Sequence, residues 1–339
     1  VFNLGVILFS VSVLLPFNFR NIPFLIFSLV TIYFFCKPKL NSQKKYLKIL
    51  IINILYFVFM FISIFYTDNF SEGTENLLSI SPMLIMPLTF YAVYTRNDIK
   101  HALMQKRFYD LFFISTILFF SAILIYSLFK GFFTKTYLLH YPERITVKFG
   151  KYSMHPLYAS MLVVISLIFS TSIYKTLKHS FTKFLFFISI AFLCCQLILL
   201  ARKGPILISA IISIVYFISL KKRKGLGYFI LMLIIFVLLI FSNQLLKERF
   251  YEFLSVILNP DLNNIGSTST RLRIYNFSLE AISKAPIFGH GIGDVKDILS
   301  KFYIENNSTY FNSHNQFLGA WLSCGIMGFI SLLSIFVIS

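Results

Sequence analysis

The chain is a succession of apolar runs separated by short polar stretches and, in two places, by longer ones. A bilayer core needs about 20 apolar residues per helix. Runs at roughly 3–19, 21–36, 49–66, 77–94, 111–129, 156–174, 184–201, 204–220, 226–243 and 315–338 meet or approach that length. They do not alternate with a period of two, as barrel strands would, and in lipid a helix satisfies its own backbone. The pattern predicts an all-α polytopic membrane protein of about ten transmembrane helices with one large loop. The expected organisation is helices 1–9 over 1–243, a loop domain over 244–313, and helix 10 over 314–339.

Polar punctuation gives the large loop its internal order. Asn259-Pro260-Asp261 and Asn263-Asn264 are turn signals, and Gly266–Thr270 is a flexible or capping run. Ser269 or Thr270 is expected to cap a helix from Arg271 to Ser283, with Leu272, Tyr275, Leu279 and Ile282 on one face. Pro286 should stop that helix. Gly289-His290-Gly291-Ile292-Gly293 should form a tight turn, and a second amphipathic helix should start near Asp294. The last apolar run reaches Ser339 without a basic stop, which reads as truncation or as an unusual end to the last helix.

Composition agrees with the pattern. Hydrophobic residues make up 57% and charged residues 13%, against about 25% charged in a soluble domain. A net charge of +18 could suggest a nucleic-acid partner. The basic residues instead sit in short clusters between apolar runs, so no nucleic acid is expected. With the N-terminus in the cytoplasm, the inside loops are Lys37–Lys48, Thr95–Asp110, Lys175–Lys183 and Lys221–Lys224. Only Asp98 and Asp110 oppose their lysines and arginines, and the other 11 of 13 carboxylates fall outside, including Asp68, Glu72 and Glu75 in one short loop. The large loop then faces the periplasm. Cys36, Cys194, Cys195 and Cys324 all lie in or beside apolar runs and suggest no disulfide framework. There is no cleavable signal-peptide pattern.

Ionisable groups near membrane depth are the first candidates for chemistry. Arg202-Lys203 stands between two apolar runs with no loop around it. It reads either as a cation pair aimed at an anionic ligand or as a snorkelling pair at the interface. Arg271 and Arg273 near a helix start could clamp a phosphate, or could lie on a solvated face. Arg144 in the first long loop is a weaker cation of the same kind. His314, followed by Asn315, lies where the large loop re-enters the membrane, and His155-Pro156 holds the matching place before the sixth run. Either histidine could move a proton near neutral pH or simply secure a loop end. Searches for HExxH, a Walker A loop, Asp-x-Asp and metal-ligand spacing are empty, and Gly289-x-Gly291-x-Gly293 does not follow a strand.

The stretches STSTRLRIYNFSLEAISKAPIFGHGIGDV and FNSHNQFLGAWLSCGIMGFI resemble the signature region of the O-antigen ligase and O-antigen polymerase family. The matching positions are Arg271, Tyr275, Pro286, Gly289, Gly291, His314, Asn315, Gly325 and Gly328, with Tyr275 where the family usually has Trp. LLARKGPILISA and HPLYASMLVVISL resemble the family's Arg-Gly and His-Pro-x-Tyr segments. The resemblance covers roughly 144–330; the first four runs are generic, and the family usually has about two more spans, about 12 in all. It implies a fold like the helical membrane glycosyltransferases with a periplasmic site in the bacterial inner membrane. It also implies metal-independent transfer of a glycan from an undecaprenyl-diphosphate carrier, with no cofactor. The acceptor would be a second lipid-linked glycan or a lipid A core sugar, so polymerase and ligase both stay open. By position, Arg202 and Arg271 would bind the diphosphate with Lys203 and Arg273 beside them, and His314 would activate or orient the acceptor hydroxyl. Asn315, His155, Arg144, Tyr275, Gly289 and Gly291 would support them. The alternative is a lipid-linked-oligosaccharide flippase or transporter, which would favour internal repeats and charges in mid-span. Here the candidates gather at one face.

The charge pattern makes a topological prediction. In intact cells, Ser267→Cys should react with an impermeant thiol reagent and Lys222→Cys should not. The reverse pattern would overturn the orientation.

Overall fold

The structure, a computed structural model, describes residues 2–16, 19–35, 44–95, 101–129, 141, 145, 150–219, 244–258, 267–305 and 312–338. Among the described residues the regular elements are all helical. The helices are α1 (Phe2–Val11), α2 (Asn21–Phe35), α3 (Lys44–Ser63), α4 (Phe70–Ile80), α5 (Pro82–Tyr94), α6 (His101–Phe129) and α7 (Pro156–Tyr174). They continue with α8 (Ser180–Leu199), α9 (Lys203–Ser219), α10 (Gln244–Leu258), α11 (Ser267–Lys284), α12 (Val295–Glu305) and α13 (Gln316–Ile338). Among the described residues six segments are long and apolar enough to cross a membrane: Tyr46–Tyr66, Phe70–Tyr94, Leu103–Ser127, Pro156–Tyr174, Ser180–Leu199 and Gln316–Val337. Shorter apolar helices, Gly5–Leu14, Asn21–Thr31 and Lys203–Ile214, coincide with three more predicted runs. The predicted span at 226–243 lies outside the described residues. The protein is an all-helical polytopic membrane protein.

The chain divides into two compact units, Val1–Val30 with Lys100–Leu254, and Thr31–Ile99 with Ser255–Ser339. In the first, α7 is the central helix: α6, α8 and α9 pack on it, and α1 packs on α6. Its core holds Phe112, Phe120, Val163, Leu193 and Leu197. Small residues line the contact face of α7, where Ala159, Ser160 and Ser166 are fully buried, allowing close helix approach where lipid gives no hydrophobic drive. Two buried polar pairs join elements there. Ser166 Oγ donates to Thr116 Oγ1 at 2.8 Å, and the Tyr141 hydroxyl donates to Gln196 Oε1 at 2.8 Å.

In the second unit α3 packs against α13 and α5, and α11 and α12 pack on each other and on α13. On α11 the four large apolar residues named from the sequence are not buried alike. Its buried stripe is Ile274, Ser278, Ala281 and Ile282, while Leu279 is half exposed. Small Ser278 and Ala281 let α11 sit close to its neighbours, so the contact face is not the one with the largest apolar side chains. Two expectations are corrected. Helix α11 is already under way at Ser267, with Ser269 buried rather than capping at the surface. Glu72 and Glu75 are not in a loop: Asn69 Oδ1 accepts the Glu72 N–H at 3.2 Å and caps α4 ahead of both. The stretch predicted as the start of the large loop is also helical, as α10.

Helix α13 is broken inside an apolar run. Cys324 and Gly325 leave helical geometry, Gly325 at φ +68°. A break frees backbone groups that lipid cannot satisfy. The glycine turn satisfies them. The N–H groups of His290 and Gly291 donate to the carbonyls of Leu322 (2.7 Å) and Ser323 (3.0 Å), and the Ile326 N–H donates to the Pro286 carbonyl (3.1 Å). Trp321 Nε1 donates to the same Pro286 oxygen at 2.9 Å. The approach is backbone on backbone. A Cβ on Gly289, at φ +73°, would stand 2.6 Å from the Gly325 nitrogen, and one on Gly325 would overlap the Ile287 carbonyl. From the other side, Asp294 accepts the N–H groups of Asp68 and Asn69 at 2.8 Å each, and Thr67 Oγ1 accepts the Gly293 N–H at 3.0 Å.

This interlock makes a stability prediction. Gly289→Ala and Gly150→Ala both force alanine into a left-handed backbone, at about 1–2 kcal/mol. Only Gly289 is also blocked by neighbouring backbone, since nothing lies within 4 Å of a Cβ at Gly150. Thermal unfolding in detergent should show the larger loss for Gly289→Ala. Equal losses would contradict the interlock.

Candidate functional site

In the second unit, His314 ends the segment that leads into α13. Its backbone is left-handed, φ +46°, a conformation uncommon for non-glycine residues. The turn is held locally. The His314 N–H donates to Asn312 Oδ1 at 3.1 Å, and Asn315 Oδ1 accepts the Phe317 and Leu318 N–H groups at 2.9 and 3.4 Å. Asn315 is therefore the N-cap of α13, and the strained backbone next to it aims the imidazole. The imidazole is exposed enough to react, and its pKa lies below the ordinary value of 6.5. Burial is the larger cause and the Arg271 guanidinium the second. Both disfavour the cation, so His314 is held neutral near pH 7.

His314 lines a cavity of about 570 Å³. The walls come from four helices: Tyr56 and Met60 of α3, Glu72 and Asn76 of α4, Lys296 of α12, and Ala320 of α13. The volume lies within the range of about 300–1,000 Å³ for small-molecule pockets. Arg271 is exposed on α11 and acts on His314 electrostatically. Arg273 is half buried, and residues two apart on a helix do not share a face. The helix therefore does not aim Arg271 and Arg273 as one fork, and the helix start at Ser267 is a full turn away from Arg271.

The glycine turn carries no reactive group into this cavity. Gly289 and Gly291 are there because backbone passes where a side chain would sit. Gly291, at φ +96°, would press a Cβ to 2.9 Å from Thr67. His290 Nε2 lies 2.9 Å from the Ala281 carbonyl and ties the turn to α11. Tyr275 packs against the cluster of Ile274, Leu299, Phe302 and Leu322.

In the first unit, His155 and Arg202 lie at the same end of the α7–α8–α9 bundle. His155 is the N-cap of α7, where Nδ1 accepts the Leu157 N–H at 3.3 Å. Its pKa is lowered by burial and then by Arg202. Arg202 follows Ala201, a buried residue at φ +49°, in the tight break between α8 and α9. Lys203 Nζ is 2.6 Å from Glu252 Oε2 and 5.6 Å from the Phe253 ring centroid. That ion pair draws the Lys203 charge toward α10. Arg144 lies outside the described residues.

Sequence reasoning missed Glu72, Asn76 and Lys296. A signal was present: Glu72, Asn76, Ser79 and Ile80 repeat at helical spacing and all line the cavity. The same chemistry that singled out His314 thus acquires a carboxylate, an amide and an ammonium around one space.

Comparison with known proteins agrees with the geometry. An uncharacterized protein of Haemophilus influenzae is 24% identical over an alignment of 349 positions, covering 98% of this chain and 82% of that protein. Residues 184–333 match the family model described as O-antigen ligase. That match takes in Arg202, α11, the glycine turn, His314 and the break in α13. Over residues 184–333 this membrane protein is thus similar to the O-antigen ligase family.

Proposed function

We propose that the protein transfers a glycan from an undecaprenyl-diphosphate carrier to a sugar hydroxyl at the periplasmic face of the inner membrane, as a polysaccharide polymerase or an O-antigen ligase. The observation that carries this reading is His314, kept neutral by its surroundings, at the edge of a polar cavity and within electrostatic reach of Arg271. In the proposed step the acceptor oxygen attacks the anomeric carbon as its proton passes to the His314 imidazole. The bond from that carbon to the diphosphate oxygen breaks, and the lipid diphosphate leaves with its charge held by Arg271. Fixed cations stabilise the charge that develops on the leaving group without reorganising during the reaction. Arg202 is proposed to contact phosphate as well, on the strength of the family match and its place in the break between α8 and α9. No metal is required by this chemistry, because arginine supplies the charge and histidine takes the proton.

The groups should separate in their effects. His314→Gln keeps hydrogen bonding but is no base. It should lose about 10²–10⁴-fold in transfer while binding lipid-linked donor normally. Activity within a few-fold of the parent would reduce His314 to a structural residue. Arg271→Ala and Arg202→Ala should lose nearly all transfer and weaken donor binding. Arg271→Lys should not rescue it, since lysine lacks the planar fork. Near-normal transfer by Arg271→Ala membranes would remove the diphosphate contact.

The pH profile is a separate check. A base acts when neutral, so the rate should fall as pH drops through the His314 pKa. That midpoint should lie below the ordinary imidazole value of 6.5. Salt screens Arg271 and should move the midpoint upward. A midpoint above 6.5, or one indifferent to salt, would contradict the assigned pairing.

A further inference from the structure

The cavity beside His314 is chemically unlike a phosphate site. One wall is a stripe of α4 made by Glu72, Asn76 and Ser79. Facing the same space, Lys296 of α12 brings Nζ within 3.5 Å of Glu72 Oε1. The ammonium is therefore already answered by a carboxylate. Asn76 Nδ2 donates to the Ile292 carbonyl at 3.1 Å, which fixes the amide and leaves Oδ1 as an acceptor. Tyr56 and Met60 supply an apolar wall. Arg271, the cation next to His314, is not among the lining residues. A diphosphate would meet a balanced charge here and a carboxylate that repels it. A sugar ring would meet acceptors and donors for its hydroxyls and an apolar surface for its C–H face.

We propose that this cavity is the acceptor subsite: it takes a neutral hydroxylated sugar ring, which Glu72 and Lys296 grip so that one hydroxyl faces His314. The assignment rests on the reading of His314 as the base. It divides the site in two, with the leaving diphosphate on the Arg271 side of the imidazole and the acceptor on the cavity side. Glu72 accepts from ring hydroxyls and Lys296 donates to them, so the pair holds a neutral polyol better than an acidic sugar, which would compete with Glu72. Both side chains are partly exposed, at 29% and 55%. An ion pair this exposed adds little to stability, so its variants are expected to fold.

The test is saturation-transfer NMR on the detergent-purified full chain. The probes are the methyl glycosides of glucose, galactose and N-acetylglucosamine, with glucuronic acid for comparison and undecaprenyl diphosphate as a competitor. Neutral glycosides should receive saturation, and glucuronic acid should receive less. Undecaprenyl diphosphate should leave the signal in place. Glu72→Ala should bind about ten-fold more weakly, the loss expected for a charge-assisted hydrogen bond. The double variant Glu72→Lys with Lys296→Glu restores the ion pair but exchanges donor for acceptor, and it should not restore binding. His314→Gln should bind glycosides like the parent whether or not it transfers, so a failure of the base assignment shows in transfer alone. The proposal is overturned if no neutral glycoside binds, or if Glu72→Ala binds as well as the parent. Displacement by undecaprenyl diphosphate would give the cavity to the donor instead. Recovery of binding in the charge-swapped variant would make the pair a structural strut.

Discussion

A helix interrupted within an apolar run exposes carbonyl and N–H groups in surroundings that offer no water, and the second unit of this protein is built around meeting that demand. The break at Cys324 and Gly325 leaves the Leu322 and Ser323 carbonyls and the Ile326 N–H without helical partners. The Pro286–Gly293 turn supplies all three. Unpaired buried backbone groups each cost on the order of 1–3 kcal/mol, so turn and break are each stable only in the presence of the other. The requirement also explains the glycines. Gly289 and Gly325 face each other's backbone at distances no Cβ tolerates.

The site inherits its geometry from this joint. The turn that fills the break continues through Asp294 into α12, which carries Lys296, and the same turn holds the start of α4 through Thr67, Asn69 and Asp294. Helix α11 enters the turn from the other side and carries Arg271. Helix α13 itself begins at the Asn315 cap beside His314. Three of the helices that wall the cavity, α4, α12 and α13, are thereby held together, with α11 attached to the same turn. The proposed chemistry is accordingly divided: glycine, proline and asparagine hold the frame, and histidine, arginine, glutamate and lysine face the ligands.

Much of this was legible in the sequence where a local signal existed. The span 156–174 matched at both ends because His155-Pro156 is a strong helix start, and Pro286 and Asp294 correctly bounded the turn and the following helix. The loss of a helix over 244–258 has a physical cause: Lys247, Glu248 and Glu252 give that stretch the polarity of a loop, although its apolar residues sit at helical spacing. The break in α13 had no signal beyond a glycine in an apolar run, since it depends on a partner some 35 residues away. Leu272, Tyr275, Leu279 and Ile282 do share an α11 face by spacing, but which face packs closest depends on the small Ser278 and Ala281, whose burial the apolar pattern does not announce. Glu72 and Asn76 were passed over because the resemblance began well after them. Their helical spacing was visible, but the capping of α4 by Asn69 that puts them on a helix was not.

In the proposed reaction the His314 imidazole takes the acceptor's proton, and Arg271, the cation that acts on it, is not among the residues lining the acceptor space. Such an arrangement supports a single in-line attack with the diphosphate departing on the opposite side of the anomeric carbon. The most direct measurement is the anomeric configuration of the first linkage formed, determined by NMR from a lipid-diphosphate donor of known configuration. Inversion is the result expected of a His314-assisted single displacement. Retention would require a covalent glycosyl intermediate and would contradict it.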